Sequence, residues 1–254
     1  MRKMIFTILV SISILTSAQT KKEIEKTFFS SGENLSFRVV LSSALTGDIT
    51  AGEASLKVSR DKEIIGGNSH IYVVAEGETL GLVEFFYKIE EKFESWIDDE
   101  TILPLKFTRR TRENNYKKDD IVYFNHNKLT AQSLNKKINI PENTHDIISA
   151  FYFARMQDIS NMKEGDSFSI PYYFDDAISE TKVVYIGKQK ITTGLGTFNC
   201  LVFKPLALTG RVFNQKYPLT FWVTDDKRRV PVLIESKLIV GKARAELISY
   251  VAGN

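Results

Sequence analysis

Five consecutive charges, Asp225, Asp226, Lys227, Arg228 and Arg229, interrupt the apolar stretch LTFWVTDDKRRVPVLIE (219–235). Acidic pairs recur at Asp98-Asp99, Asp119-Asp120 and Asp175-Asp176. Paired carboxylates suggest acid–base chemistry at a glycosidic bond. That chemistry needs two carboxylates facing each other across a cleft, one with a raised pKa. Neighbours in a strand point to opposite faces, so sequence adjacency does not supply the arrangement. Cys200 lies in TFNCLVF among apolar neighbours and reads as a small buried hydrophobe rather than a nucleophile. His70, His126 and His145 are scattered without metal-ligand spacing. The GxSxG, HExxH, P-loop and CxxC patterns are all missing, and no cofactor is implied. Thr193-Gly194-Leu195-Gly196-Thr197 sits between strand patterns with no helix after it, so it reads as a hairpin turn rather than a phosphate cradle.

The charged cluster has a counterpart. FESWIDDETILPLKF (93–107) and LTFWVTDDKRRVPVLIE share the order Trp, Asp-Asp, Pro, strand. Asp favours turns because its short carboxylate accepts bonds from nearby backbone N–H groups. Pro at a strand start gives up a donor where the ladder has not begun. Both segments therefore read as hairpins with the charges in solvent.

The elements around these turns are mostly strands. LSFRVVL (35–41), EASLKVS (53–59), HIYVVAE (70–76), KFESWI (92–97), LPLKFTRRT (103–111) and DIVYFNH (120–126) alternate or run apolar. So do SFSIPYYF (167–174), TKVVYIG (181–187), FNCLVFKPL (198–206), LTFWV (219–223), VPVLIES (230–236) and AELISYV (245–251). This spacing predicts a mainly β, antiparallel domain, a curved incomplete barrel or sandwich of about twelve strands. GLVEFFYKI (81–89) also looks helical but is short and ambiguous. THDIISAFYFARMQDI (144–159) has helical periodicity, with Asn143 as expected cap and Asp146 in the first turn. Its apolar face, including Phe151 and Tyr152, is expected to pack on the concave side of the sheet. Arg155 falls near the middle of that face, where a cation must pair or reach water. It serves either a structural ion pair or an acidic head group in a cavity.

The start of the chain, MRKMIFTILVSISILTSAQT, has a basic beginning, an apolar run of about a dozen residues and small residues near Ala18. It reads as a signal peptide over residues 1–18, too short for the ~20 residues of helix that span a bilayer. The rest, 19–254, reads as one all-β domain without a transmembrane span. No Cys follows the cut, which argues against a lipid anchor. Removing Arg2 and Lys3 takes the basic residues from 34 to 32 against 31 acids, so the net charge drops from +3 to +1. That balance, with export, points away from nucleic acid. A single cysteine permits no internal disulfide. Stability must come from a core, which 43% hydrophobic residues can build.

GENLSF (32–37), ITAGEASLKV (49–58), DDETILPLKF, HDIISAFYFARM (145–156), TTGLGTFNCLVFKP (192–205) and WVTDDKRRVPVLI followed by IVGKARAEL stand in an order that resembles the domain of unknown function 3108 family. These are exported β-rich proteins of diderm bacteria without an established activity, so the resemblance implies no catalytic residue. The Trp-x-Asp…Leu-Pro-Leu-Lys segment also resembles one in the periplasmic lipoprotein carriers and sigma-factor regulators. Their half-closed sheets bind acyl chains on a concave side plugged by helices. This chain departs from them in its length and in lacking a lipobox.

Together these readings predict a non-enzymatic, periplasmic or secreted envelope protein that holds a lipid, an acyl chain or a partner's apolar segment in a β-lined cleft. Arg155, Phe151, Tyr152, Phe85 and Phe86 are the candidate lining. The alternative is an interaction module of envelope biogenesis that engages an envelope protein partner and takes no small ligand.

Overall fold

The computed structural model describes residues 30–45, 47–206, 219–238 and 241–253. The segment 1–18, read as a signal peptide, lies outside them. A first meander holds β1 (Asn34–Ser43), β2 (Gly47–Val58), β3 (Glu63–Ile65), β4 (Asn68–Thr79), the short helix α1 (Gly81–Phe86), β5 (Ile89–Asp98), β6 (Pro104–Glu113), β7 (Tyr116–Asn125), β8 (Thr130–Gln132) and β9 (Lys137–Asn139). Helix α2 (Ile147–Met156) follows. A second meander holds β10 (Ser167–Phe174), β11 (Ala177–Thr193), β12 (Gly196–Pro205), β13 (Leu219–Thr224), β14 (Pro231–Lys237) and β15 (Lys242–Val251).

The two meanders are one antiparallel sheet, because the last strand, β15, pairs with the first, β1. The free edges are β9 and β10, which are consecutive in the chain. The sheet is thus an open barrel whose seam is bridged by the segment carrying α2. His145, just before the helix, donates its backbone N–H to Pro171 O at 2.9 Å and accepts from Tyr173 N at 2.8 Å, so the strap is laced to β10. Across the same gap, the Asp175 carboxylate meets Arg109 at 3.0 Å and also Lys118.

All twelve expected strand segments form strands. The count among the described residues is nevertheless fifteen, because β3, β8 and β9 have three residues each, too few to show a period of two. The described helices number two: the ambiguous segment 81–89 holds the six-residue α1, GLVEFF. α2 is also shorter than the expected 144–159. Its cap is Asp146, not Asn143, which sits in a turn at φ 56°. Asp146 Oδ1 accepts from the N–H groups of Ile148 and Ser149 at 2.8 Å, and Asp146 N donates to Ser149 Oγ at 3.0 Å, a reciprocal capping box. Ser95 on β5 donates to Asp146 Oδ2 at 2.5 Å, which ties the start of the helix to the sheet.

The inner face of the sheet is apolar and wraps α2 from two sides. Ile148 and Tyr152 join the core built on β4 to β8 with Val73, Ile97, Phe107 and Val122. Ala150, Phe153 and Ala154 pack toward Ile170, Val183, Leu201 and Val223 of β10 to β13. On the other face of the sheet, cross-strand rows are polar or amphipathic. One runs Arg38–Glu53–Glu78–Glu90–Arg112 across five strands. Another runs Tyr72–Trp96–Lys106–Tyr123, with Lys106 Nζ 4.1 Å from the Trp96 ring centroid.

Two titratable neighbours at the start of α2 make the fold respond to acid in opposite ways. Burial holds His145 neutral, its pKa lowered to about 4, with His126 adding a smaller push. Stability from the neutral ring is complete above the unfolded value of ~6.5 and is lost as pH falls through about 4, ~3 kcal/mol in all. Burial pushes Asp146 up to about 6, against its hydrogen bonds to Ser95, Ser149 and Ile148. Its carboxyl takes up a proton more readily in the folded state, so stability is gained as pH falls through about 6. The two effects offset in the native protein. Urea unfolding of His145→Gln should show stability rising between pH 6.5 and 4. Asp146→Asn, which keeps a capping oxygen, should show it falling. Two curves parallel to the native one would refute the assignment.

Candidate functional site

The centre of the molecule is a buried ion pair. Arg155 in the last turn of α2 presents Nη1 to Glu33 Oε1 at 2.7 Å and Nη2 to Glu33 Oε2 at 3.0 Å. Both side chains are almost wholly buried. The Arg228 carbonyl accepts from Arg155 Nη2 at 2.9 Å and from Nε at 3.3 Å. Burial works against the cation, but the bonds and charge of Glu33 prevail and raise its pKa. The carboxylate that Arg155 meets is therefore supplied by the chain itself.

The charged turn 225–229 belongs to this assembly. Asp226 Oδ1 accepts from Arg228 N at 2.9 Å, Arg229 N at 3.0 Å and Thr224 Oγ1 at 2.8 Å, which builds the expected turn. Asp225 to Arg228 are exposed, but Arg229 is not. It adopts φ 46° and donates to the backbone carbonyls of Arg155, at 2.6 Å, and Gln157. A cation thus satisfies carbonyls at the C-terminal end of α2, where the helix dipole favours one. The paired hairpin 98–104 repeats the construction without a helix to cap. Asp98 Oδ1 accepts from Glu100 N at 3.1 Å and Thr101 N at 2.8 Å. Ile102, two residues before Pro104, has φ 61°, as Arg229 has positive φ two residues before Pro231. In both hairpins the ladder bulges directly after the Trp, and the Pro opens the return strand.

Two apolar hollows flank the end of α2 and share Phe151 and Phe221. The smaller, about 200 Å³, lies between Ala150 and Ala154 of α2 and Phe168, Ile170, Val183 and Phe203 of the second meander. Arg155 and Arg229 stand on its wall. The larger, about 330 Å³, lies over Ala54, Ala75, Gly77 and Ala245, four small residues of β2, β4 and β15. Phe37, Leu56, Phe93 and Ile234 complete its apolar wall. Glu91 marks the rim, its pKa raised by burial although Thr111 Oγ1 donates to it at 2.7 Å.

The expected site residues divide. Phe151 lines both hollows and Arg155 the smaller one. Tyr152 is fully buried in the core and packs its ring against the Arg155 guanidinium at 5.3 Å. Phe85 and Phe86 do not line the cleft: both project from α1 into solvent. Their helix is too short to turn an apolar face inward, and it stands beyond the ends of β4 and β5. Sequence reading missed Glu33, Phe221, Arg229 and the floor of small residues. Ala54, Ala75 and Gly77 sit at alternate positions of their strands, which is the one signal that could have shown a floor. Cys200 is buried, and burial pushes its thiol up to about 11. Among the described residues no group of three His, Cys, Asp or Glu side chains is arranged to hold a metal ion.

Unfolding measurements test whether the charged turn is structural. Asp226→Ala removes three accepted bonds beside the buried Arg155 and should cost ~1–3 kcal/mol in urea denaturation. Asp225→Ala loses only an exposed contact with Lys188 and should stay within ~0.5 kcal/mol. Equal effects would refute the division of roles.

The model of the family described as "Protein of unknown function (DUF3108)" matches residues 36–248. Among curated proteins nothing matches the chain. Among solved structures, it is similar to a beta-barrel-like protein of domain of unknown function DUF1849 from Brucella abortus. The TM-score is 0.61 at 7% identity, covering 89% of this chain and 100% of that one. That likeness is one of fold. A putative exported protein with YmcC-like fold from Bacteroides fragilis aligns at TM-score 0.37 and 12% identity, over 88% of this chain and 98% of that one. The ordered motifs, the open fifteen-stranded sheet and the family match over most of the chain lead to one conclusion: this protein belongs to the DUF3108 family.

Proposed function

We propose that this is a non-enzymatic, exported envelope protein that holds an apolar ligand, a lipid or acyl chain, in the cleft beside Phe151 and Phe221. One observation carries the reading: the inner face of the sheet is not filled by its helix. Over Ala54, Ala75, Gly77 and Ala245 it leaves an apolar hollow of about 330 Å³, inside the ~300–1,000 Å³ range of small-molecule sites. A non-enzymatic role is supported by the adjoining smaller hollow, whose cations are engaged by protein partners: Arg155 by Glu33, and Arg229 by the backbone at the end of α2. Export rests on the signal-peptide pattern of residues 1–18. Among the described residues no helix is long and apolar enough to cross a membrane.

Filling the hollow tests the reading. Gly77 faces it with ordinary φ, and a Cβ there would meet nothing closer than Glu53 O at 3.8 Å. Gly77→Leu should therefore fold normally and weaken binding of a fluorescent polyene fatty acid by about tenfold or more, for ~1.4 kcal/mol or more of lost contact. Native mass spectrometry of protein from the periplasm, with solvent extraction, should show a lipid mass that this substitution removes. Absence of binding in the native protein, or binding unchanged by Gly77→Leu, would refute the proposal.

A further inference from the structure

The four most exposed large apolar side chains among the described residues come from two neighbouring connections. Leu45, 93% exposed, lies in the β1–β2 turn. Leu82, Phe85 and Phe86, at 73%, 82% and 77%, lie on α1 between β4 and β5. The register places both connections at one end of the sheet. Gly52 pairs with Thr79, and Leu80 N bonds Ala51 O at 2.9 Å, so α1 begins beside the first half of β2, which starts two residues after Leu45. Phe85 and Phe86 touch only edge to face, centroids 5.2 Å apart, and no residue of α1 is buried. Monomeric domains seldom leave several large apolar side chains together in water without a use for them.

We infer that this end of the molecule is a docking surface for a phospholipid bilayer, entered by Phe85, Phe86, Leu82 and Leu45. Three observations select a bilayer. First, the side chains protrude from two separate connections, and although Leu82, Phe85 and Phe86 stand at i, i+3 and i+4, the six-residue helix lacks the further turn that completes the i+7 stripe a protein groove reads. A bilayer interface accepts protruding aromatic and aliphatic groups without complementary shape. Second, the charges on α1, at its exit and at the start of β2 are paired: Lys88 with Glu84 at 3.2 Å and Glu90 at 2.9 Å, and Asp48 with Arg244. Attachment is therefore apolar and insensitive to salt. Third, α1 stands near the rim of the larger hollow. Gly77 on its floor precedes Gly81 by four residues, ~13 Å of strand, and Glu91 on its rim follows α1 directly through the start of β5. An apolar wedge beside an apolar cleft is where a chain would leave a bilayer. The docking claim does not itself require the cleft to be occupied.

Flotation of the chain beginning at Gln19 with phosphatidylcholine vesicles tests the inference. The native protein should float with the vesicles equally at low and high salt. The double variant Phe85→Ser, Phe86→Ser should lose at least tenfold of the bound fraction with its unfolding midpoint unchanged. Ile64→Ser and Leu195→Ser, at exposed sites at the opposite end of the sheet, should bind as the native protein does. Fatty-acid binding in solution should be the same in the double variant, so failure of docking and failure of the cleft are read separately. No flotation, equal flotation of the double variant, or a native dimer that the double variant abolishes would each overturn the bilayer reading.

Discussion

The structure turns on a buried pair of opposite charges, Glu33 and Arg155, separated by 122 positions in the chain. Taking both from water is expensive, and well-packed apolar replacements often serve stability as well or better. What the pair contributes is position. Glu33 stands at the entrance to β1, Arg155 in the last turn of α2, and the Arg228 carbonyl in the β13–β14 turn. Two planar hydrogen bonds and a carbonyl fix the three at one point. With Asp146 bonded to Ser95 at the other end, the helix is held at both termini inside an open sheet.

A sheet left open needs such fastening. Its edges, β9 and β10, do not pair with each other, so closure depends on the strap that carries α2 and on Asp175 bridging to Arg109 and Lys118. The same arrangement produces the hollows. A closed barrel around one helix would pack tightly. Here the helix turns Ala150 and Ala154 toward one half, while the other half offers Ala54, Ala75 and Gly77. Small residues face space on both sides of Phe151, which leaves a partly open apolar hollow on each side. The cleft is thus a consequence of residue size on a helix whose position is set elsewhere.

The strands were legible because alternating or apolar runs of five or more residues are hard to mistake, as in SFSIPYYF, which forms β10 with the expected bounds. The three-residue strands were not, since they exist through pairing with longer neighbours. α2 was legible through its periodicity, but its start was not. Asn143 and Asp146 are both plausible caps, and the choice between them is made by Ser95 on a distant strand. The oddity of Arg155 on an apolar face was visible, whereas Glu33, in the plain motif GENLSF, carried no mark of its partner. The charged turn was legible as a turn, yet the reach of Arg229 to the helix end depends on tertiary proximity. Phe85 and Phe86 looked like lining because aromatics are usually interior. Nothing local announces that a six-residue helix overhangs the sheet.

The central claim is that Arg155 positions α2 through Glu33. A double-mutant cycle of Glu33→Gln and Arg155→Met, followed by urea unfolding, tests it most directly. Each single change should cost ~3–5 kcal/mol by leaving a buried polar partner uncompensated. The double change should cost no more than either, a coupling of several kcal/mol. Additive losses, or an Arg155→Met variant of native stability, would mean that the pair does not hold the helix, and the account would fail.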